Sequence, residues 1–390
     1  MATRRVDAVV GKTLLSPVKA PLLIIQDQLR NGGTERQSLL LASSMRARGE
    51  DVRMLVFSPG GRLAGEPERL GLSCRWLQKR DINLPLWAPG LLRTVREMGP
   101  SVIVCMGRTA NCYAGWLQDR FPGTPVIGSL RTGKSILPLQ QASWRKVSAL
   151  FVNCHWWRAE LIRRGLDPQR VFVHHNPLSR MPTPPEGQKV MRVELRKERG
   201  LTESTRILLN VATFRGGKRH LKLIDQVARW HGEHPGHDWQ LWFVGEGRSK
   251  AACERRVRAL GLSDRIWFAG YQHHVNNFYA AADIAVSFSI EDSLPNFLIE
   301  AQANRLPALA LDYRGVSECV RSGISGWVLP ADADQGYRDH LEQMVCDPER
   351  SREMGLKGAE HALSQFNPDR QLEAWISDLL RIRDRSHCCR

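Results

Sequence analysis

No run of apolar residues in this 390-residue chain approaches the roughly 20 that a bilayer-crossing helix needs. A membrane span is therefore not expected. The nine cysteines are odd in number and scattered, with no C-x-x-C pair, and Cys388-Cys389 is the one cluster. That pattern argues against a disulfide framework or a structural zinc ribbon and favours a reducing compartment. No H-E-x-x-H or other metal-ligand spacing stands out, so no metal site or cofactor is expected. The chain lacks a G-x-S-x-G hydrolase elbow and a G-x-x-x-x-G-K-[ST] phosphate loop. The stretch "MATRRVDAVVGKTLLSPVKAP" carries basic residues without a long apolar segment or cleavage site, so a secretory signal is not expected either. These absences together point to a cytoplasmic protein. No internal repeat or low-complexity tract is visible.

With 42% hydrophobic and 25% charged residues, the composition is that of a globular protein. The length suggests two or three domains, each able to bury a core. The net charge of +16 is uneven. Residues 1–180 hold 27 Lys and Arg against 12 Asp and Glu, and the remainder is nearly balanced, with 29 against 28. Such asymmetry fits either a solvated basic surface or attraction to a polyanion: nucleic acid, anionic lipid or a phosphorylated acceptor.

Short apolar runs alternate with amphipathic helical patterns throughout. "APLLIIQ", "DVRMLVF", "SVIVCMG", "PVIGSL" and "SALFVNC" read as buried strands in the first half. A proline-rich stretch, "HNPLSRMPTPPEGQK" (His175–Lys189), reads as a linker. The alternation restarts with "RILLNVA", "WQLWFVG", "RIWFAG", "DIAVSFS", "PALALD" and "GWVL". This is the pattern of parallel sheets covered on both faces, so an α/β fold of two doubly wound Rossmann-like domains flanking a cleft is expected. The expected boundaries are an N-terminal extension over 1–19, a first domain over 20–177, a linker over 178–190 and a second domain over 191–367. A C-terminal helix over 368–390 is expected to cross back to the first domain.

Four strand-to-helix loops carry chemistry. "QLRNGGTERQ" has Gly32-Gly33, which either admit a ligand close to backbone amides or form a tight turn with Thr34 as the helix cap. "NVATFRGGKRH" brings Arg215, Lys218 and Arg219 to a Gly-Gly turn, a fit for a diphosphate or an ordinary basic turn. "FVGEGRSK" holds Gly245 and Gly247. All lie at the C-terminal edge of their sheets, where ligands of open α/β sheets bind. The fourth, "SFSIEDSLPNFLIEAQANR", has Glu291, Asp292, a Ser293-Leu294-Pro295-Asn296 turn and Glu300. Ser293 suits a helix cap and Pro295 a first turn. Glu300 in its apolar setting needs hydrogen-bond donors, which ligand hydroxyls would supply; the plainer alternative is a capping acid plus a buried structural Glu. Asp292 and Glu300 lie up to about 12 Å apart by helical rise, a wide spacing for a proton-transfer couple. His155, His174, His175 and Asn176 are further polar candidates, and Trp156-Trp157 a candidate acceptor wall.

Taken together, "EDSLPNFLIEAQANRLPALALDYRGVSECVRSGISGWVLP" and "NGGTERQSLLLASSMRARGEDV" resemble the retaining glycosyltransferases of family 4, which have the GT-B fold. The resemblance spans roughly residues 20–385. It implies donor binding by the second domain and acceptor binding by the first. The family's acidic pair, spaced E-x7-E, falls here on Asp292 and Glu300. Asp292 is then expected near the donor sugar and Glu300 on the ribose hydroxyls. Ser293, Leu294, Pro295 and Asn296 would serve the diphosphate and sugar, with Gly33, Gly245 and Gly247 lining the donor. Lys218 matches the phosphate-binding lysine, and Glu318 a later acid of the pattern. Two positions depart from it. Thr213 stands where an arginine is common, which gives Arg215 the candidate role. Arg131 stands where many members have histidine, and it adds positive charge to the cleft. Catalytic roles are expected for Lys218, Asp292 and Arg215, and cleft or acceptor roles for Arg131, Glu291 and Glu318.

The implied reaction is metal-independent, retaining transfer of a hexosyl group from a UDP- or GDP-sugar to a glycan or lipid-linked acceptor. Cell-surface polysaccharide or lipopolysaccharide synthesis is the implied setting. The basic first half adds an expected contact with an anionic membrane on its inner face. Two alternatives stand beside this: a GT-B relative that epimerises or hydrolyses sugar nucleotides, and a basic nucleic-acid-binding protein. The last lacks any RRM, helix-turn-helix or zinc signature, so no nucleic-acid partner is expected.

Overall fold

The computed structural model describes residues 20–30, 32–81 and 86–388. The expected N-terminal extension, Asn31 of the first glycine loop and Cys389 lie outside them. In the N-terminal half seven strands form one parallel sheet: β1 (Leu22–Gln26), β2 (Val52–Val56), β3 (Ser73–Trp76), β4 (Val102–Cys105), β5 (Val126–Leu130), β6 (Ala149–Val152) and β7 (Val171–Val173). Their order is β3-β2-β1-β4-β5-β6-β7. A second parallel sheet contains β8 (Arg206–Val211), β9 (Trp239–Val244), β10 (Ile266–Gly270), β11 (Ile284–Ser287), β12 (Ala308–Leu311) and β13 (Gly326–Leu329), ordered β10-β9-β8-β11-β12-β13.

The apolar runs explain this choice. Every residue of β1, β4, β5, β6, β11 and β12 is buried, so both faces of these strands must be covered, and helical crossovers on both sides do this. Each fully buried Leu, Ile or Val contributes about 1.5–3 kcal/mol. Strand order reverses between β1 and β4 and again between β8 and β11. At such a reversal, consecutive connections leave for opposite faces and open a crevice outside the strand C-termini. The two crevices face each other.

Two stretches differ from the sequence reading. The expected linker over 178–190 is helical from Pro185, because the helix Pro185–Glu198 uses the proline's fixed φ to start. The helix Asn296–Ala303 has Pro295 rather than Ser293 at its N-cap, and the helix Gly33–Ala47 is preceded by Gly32 with no side-chain cap, so Thr34 is not a cap. The last helix, Pro368–Cys388, lays Leu372, Trp375, Ile376 and Leu379 into the core formed by β1, β2 and β4 of the first sheet.

Helix Pro185–Glu198 is held to the second sheet by charge. Arg196, 2% exposed, donates to Asp283 at 2.6 Å, and Arg192 donates to the other oxygen at 2.9 Å. Asp283 also accepts from the Ile207 backbone N–H at 2.8 Å. Removing one partner of such a buried cluster strands the rest, at about 3–5 kcal/mol. Asp283→Ala is therefore expected to lower unfolding free energy by that amount in urea denaturation. A change under 1 kcal/mol would show that the cluster is solvated and weak.

Candidate functional site

The loops that follow β1, β4, β8 and β11, the four strands at the two reversals, converge on one cleft. It holds two adjoining chambers of about 430 and 750 Å³. Gly33, Arg215, Asn296 and Phe297 line both.

The smaller chamber is strongly charged. Lys218, from the loop after β8, reaches Asp292 with Nζ 2.5 and 2.7 Å from the two carboxylate oxygens, both side chains being 15% exposed. Burial alone would push the Asp292 carboxyl up, but Lys218 overrides it and holds the acid below its ordinary range. Beside this pair Arg215 lies 3.4 Å from Glu291. The two neighbouring acids thus take separate cations. From the first domain Arg131 donates to Asn176 Oδ1 at 2.7 Å, and Asn176 donates to Asn296 Oδ1 at 2.8 Å. Burial lowers the Arg131 guanidinium to about 10, and among the described residues its buried Nε has no hydrogen-bond partner. Leu294 and Pro295 complete the wall.

Glu300 stands in the larger chamber instead. Its carboxylate accepts from Ser179 Oγ at 2.6 Å and Tyr279 OH at 2.9 Å. Burial and the adjacent Glu300 charge raise the Tyr279 hydroxyl well above its usual range. Asp292 and Glu300 therefore do not form a proton-transfer couple: each has its own partners in its own chamber. Gly245 and Gly247 also line the larger chamber. Both have positive φ, +145° and +154°, and a Cβ on either would strike the carbonyl oxygen of Ala212 or Phe214. The glycines let the loop after β9 lie against the loop after β8.

Four candidate side chains are engaged between the domains. Ser293 lies at the cleft, yet its hydroxyl donates across the domain boundary to Asn153 Oδ1. Glu318 lines neither chamber. Its carboxylate accepts from the backbone N–H groups of His155, at 2.9 and 3.0 Å, and Trp156, at 3.4 Å, at the N-terminus of helix His155–Arg163. His175 lies 2.9 Å away on the other side. An acid at a helix N-terminus is favourable, and here it couples the two domains. Trp156 and Trp157 line neither chamber, and the Arg314 guanidinium packs over them at 5.2 and 4.4 Å from the ring centroids. Arg314 also donates to the Gly133 carbonyl. Gly133 lies so close to the Glu291 carbonyl that a Cβ would overlap it, so the domains touch at this loop.

Several lining residues were missed. Asp27, at the end of β1, accepts from the backbone N–H groups of Thr109 and Ala110, both at 2.8 Å, while burial pushes its carboxyl up. Tyr279, Ser179, Tyr271 and Arg62 line the larger chamber or support its acid, with Arg62 4.6 Å above the Tyr271 ring. The loop "GYQHH" after β10 obeys the same C-terminal-edge rule as the four loops that were read, and would have pointed to Tyr271.

Residues 191–361 match the family described as "Glycosyl transferases group 1", and residues 32–177 match "Glycosyl transferase 4-like domain". The D-inositol 3-phosphate glycosyltransferase of Gordonia bronchialis is 32% identical over 337 residues, 78% of this chain and 72% of that protein. The chain belongs to the group 1 glycosyltransferases. Its fold is GT-B: the Anabaena protein Alr3699/HepE, solved in complex with UDP, superposes with a TM-score of 0.80 over 93% of this chain and 100% of that one, at 17% identity. Among curated relatives, the N-acetyl-alpha-D-glucosaminyl L-malate synthase of Bacillus anthracis is 29% identical over 191 residues, 48% of this chain and 49% of that protein. That match spans about half the relative's length. Within this glycosyltransferase the described helices include none long and apolar enough to cross a membrane.

Proposed function

We propose that the chain transfers a hexosyl group from a nucleoside diphosphate sugar to an acceptor hydroxyl, with retention of configuration. The observation that carries this reading is the division of labour in the cleft. Arg215 lines both chambers, Glu300 only the larger, and Lys218 with Asp292 only the smaller. A nucleoside fits the larger chamber with its ribose hydroxyls on Glu300, in competition with Ser179 and Tyr279. The diphosphate lies where the chambers join, under Arg215, Lys218 and the N-terminus of helix Asn296–Ala303. The sugar projects into the smaller chamber toward Asp292. The acceptor enters from the first domain, past Arg131.

As the anomeric C–O bond breaks, charge grows on the leaving diphosphate, and fixed cations and helix amides stabilise it. The acceptor oxygen bonds to the anomeric carbon, and its proton passes to the leaving phosphate. Lys218 is held by Asp292, so the donor must draw it across from that carboxylate. The positive charge needed comes from side chains. The Anabaena complex with UDP and the family membership support a nucleotide-sugar donor. The basic first half and the part-buried Arg131 support an acceptor bearing phosphate, such as a lipid-linked glycan presented at an anionic surface.

The test is a panel of UDP- and GDP-hexoses, each incubated with and without acceptor, including a lipid-linked phosphate acceptor in anionic vesicles across a salt series. Acceptor-dependent release of the nucleoside diphosphate is expected, with product mass increased by one hexose and vesicle-borne turnover falling as salt rises. Release without acceptor would replace transfer by hydrolysis. A sugar altered at one carbon with no release would mean epimerisation.

A further inference from the structure

Among the described residues two groups of three side chains bring metal-ligating atoms within 4.8 Å of one another: His155 with His175 and Glu318, and His234 with His237 and Glu342. In the first, the carboxylate is already used by the backbone of helix His155–Arg163. The second has no such competitor, and a fourth donor joins it. We propose that His234, His237, Glu342 and Cys346 form a zinc site outside the catalytic cleft.

The two histidines lie in the turn between helix His220–Glu233 and β9, at a His-x-x-His spacing that the sequence reading passed over. Glu342 and Cys346 are one turn apart on the same face of helix Asp334–Cys346. Glu342 Oε1 is 2.9 Å from His237 Nε2, 3.4 Å from His234 Nδ1 and 3.0 Å from Cys346 Sγ, and that sulfur is 3.7 Å from His237 Nε2. Metal bonds of about 2.0–2.3 Å at tetrahedral angles place ligand atoms roughly 3.3–3.7 Å apart. Glu342, His237 and Cys346 are therefore close to that spacing, and His234, which lies near the carboxylate, turns toward the thiol to complete the set.

The surroundings are built to orient them. Fully buried Trp230 donates its indole N–H to Glu342 Oε2 at 2.7 Å, leaving Oε1 turned to the other donors. Its ring stacks on His237, 5.6 Å between centroids and 5° from parallel. Carboxylate and imidazole are thus fixed by the same side chain, the kind of support that metal ligands receive. His234 is 38% exposed and Cys346 is exposed, so an ion can enter from solvent. Two nitrogens, one carboxylate oxygen and one thiol suit zinc and do not suit magnesium or calcium, which take oxygen ligands. Binding displaces the thiol proton to solvent. The site lies at the start of β9, the edge of the sheet opposite the cleft, so it fastens two helices of the donor domain rather than taking part in transfer.

The probe is Zn(II), titrated into metal-free full-length protein against a chromophoric chelator. Because His387-Cys388-Cys389 could compete, the background carries Cys388→Ser and Cys389→Ser. One zinc per chain is expected, with affinity at least tenfold lower in Cys346→Ser and in His237→Ala. Co(II) should give tetrahedral d–d bands and a thiolate charge-transfer band, the latter lost in Cys346→Ser. Hexosyl transfer by Cys346→Ser should stay within twofold of wild type. No stoichiometric binding by the metal-free protein, or equal binding by both variants and their parent, overturns the proposal and leaves a hydrogen-bonded knot. Zinc stoichiometry, zinc affinity and the Co(II) spectrum do not depend on donor turnover, so their failure and failure of the transferase reading are separable.

Discussion

Lys218→Ala is expected to lower kcat for hexosyl transfer by about 10²–10³, the effect of deleting one fixed charge-stabilising group, roughly 2.7–4 kcal/mol. The loss should fall on kcat more than on KM, because the charge on the leaving diphosphate grows only as the bond breaks. One complication is physical. Lys218 is the partner of Asp292, and removing it strands a part-buried carboxylate. The Lys218→Ala/Asp292→Asn double variant removes that strain. If the lysine acts on the diphosphate, the double variant regains stability and stays slow. Recovery of kcat in the double variant would mean that Lys218 serves only to neutralise Asp292. Arg215 lies 3.4 Å from Glu291 at the junction of the chambers, and it would then be a further cation for the phosphates.

Glu300→Ala is expected to raise the donor Kd by about 10²-fold, since each hydrogen bond to a charged group contributes about 1.5–3 kcal/mol. Here too the acid has partners of its own. Truncation leaves the Tyr279 hydroxyl buried without its acceptor, so a simple loss of binding is ambiguous. Deoxyribose analogues of the donor remove the ambiguity. In the parent enzyme, deleting a ribose hydroxyl should weaken binding by roughly tenfold or more. In Glu300→Ala the same deletion should change little, because its partner is already gone. Equal penalties in both proteins would place the ribose elsewhere.

Much of the fold was legible because fully buried parallel strands announce themselves as continuous apolar runs. "PLLIIQ" and "VIVC" need no context. The two strands passed over are the outer ones. β3 alternates exposed and partly buried residues, and β7 has three residues, so neither carries the signal of a doubly covered strand. The candidate site was legible where a single loop holds the chemistry, as in "FRGGK" and "EDSLPN". It was not where the partner comes from a distant segment. Nothing near Ser293 indicates that its hydroxyl turns to Asn153, 140 positions away, instead of capping its own helix. Glu318 likewise looked like a cleft acid until its geometry put it on the helix of the other domain. Local spacing identifies which residue types are available. Only packing decides which neighbour satisfies them.

The most direct test of donor recognition is a crystal structure with a bound nucleoside diphosphate sugar. The diphosphate is expected within hydrogen-bond reach of Lys218, Arg215 and the first amides of helix Asn296–Ala303, with both ribose hydroxyls on Glu300 and the sugar beside Asp292. A nucleotide bound with its ribose away from Glu300 and its phosphates away from Lys218 and Arg215 would contradict the assignment.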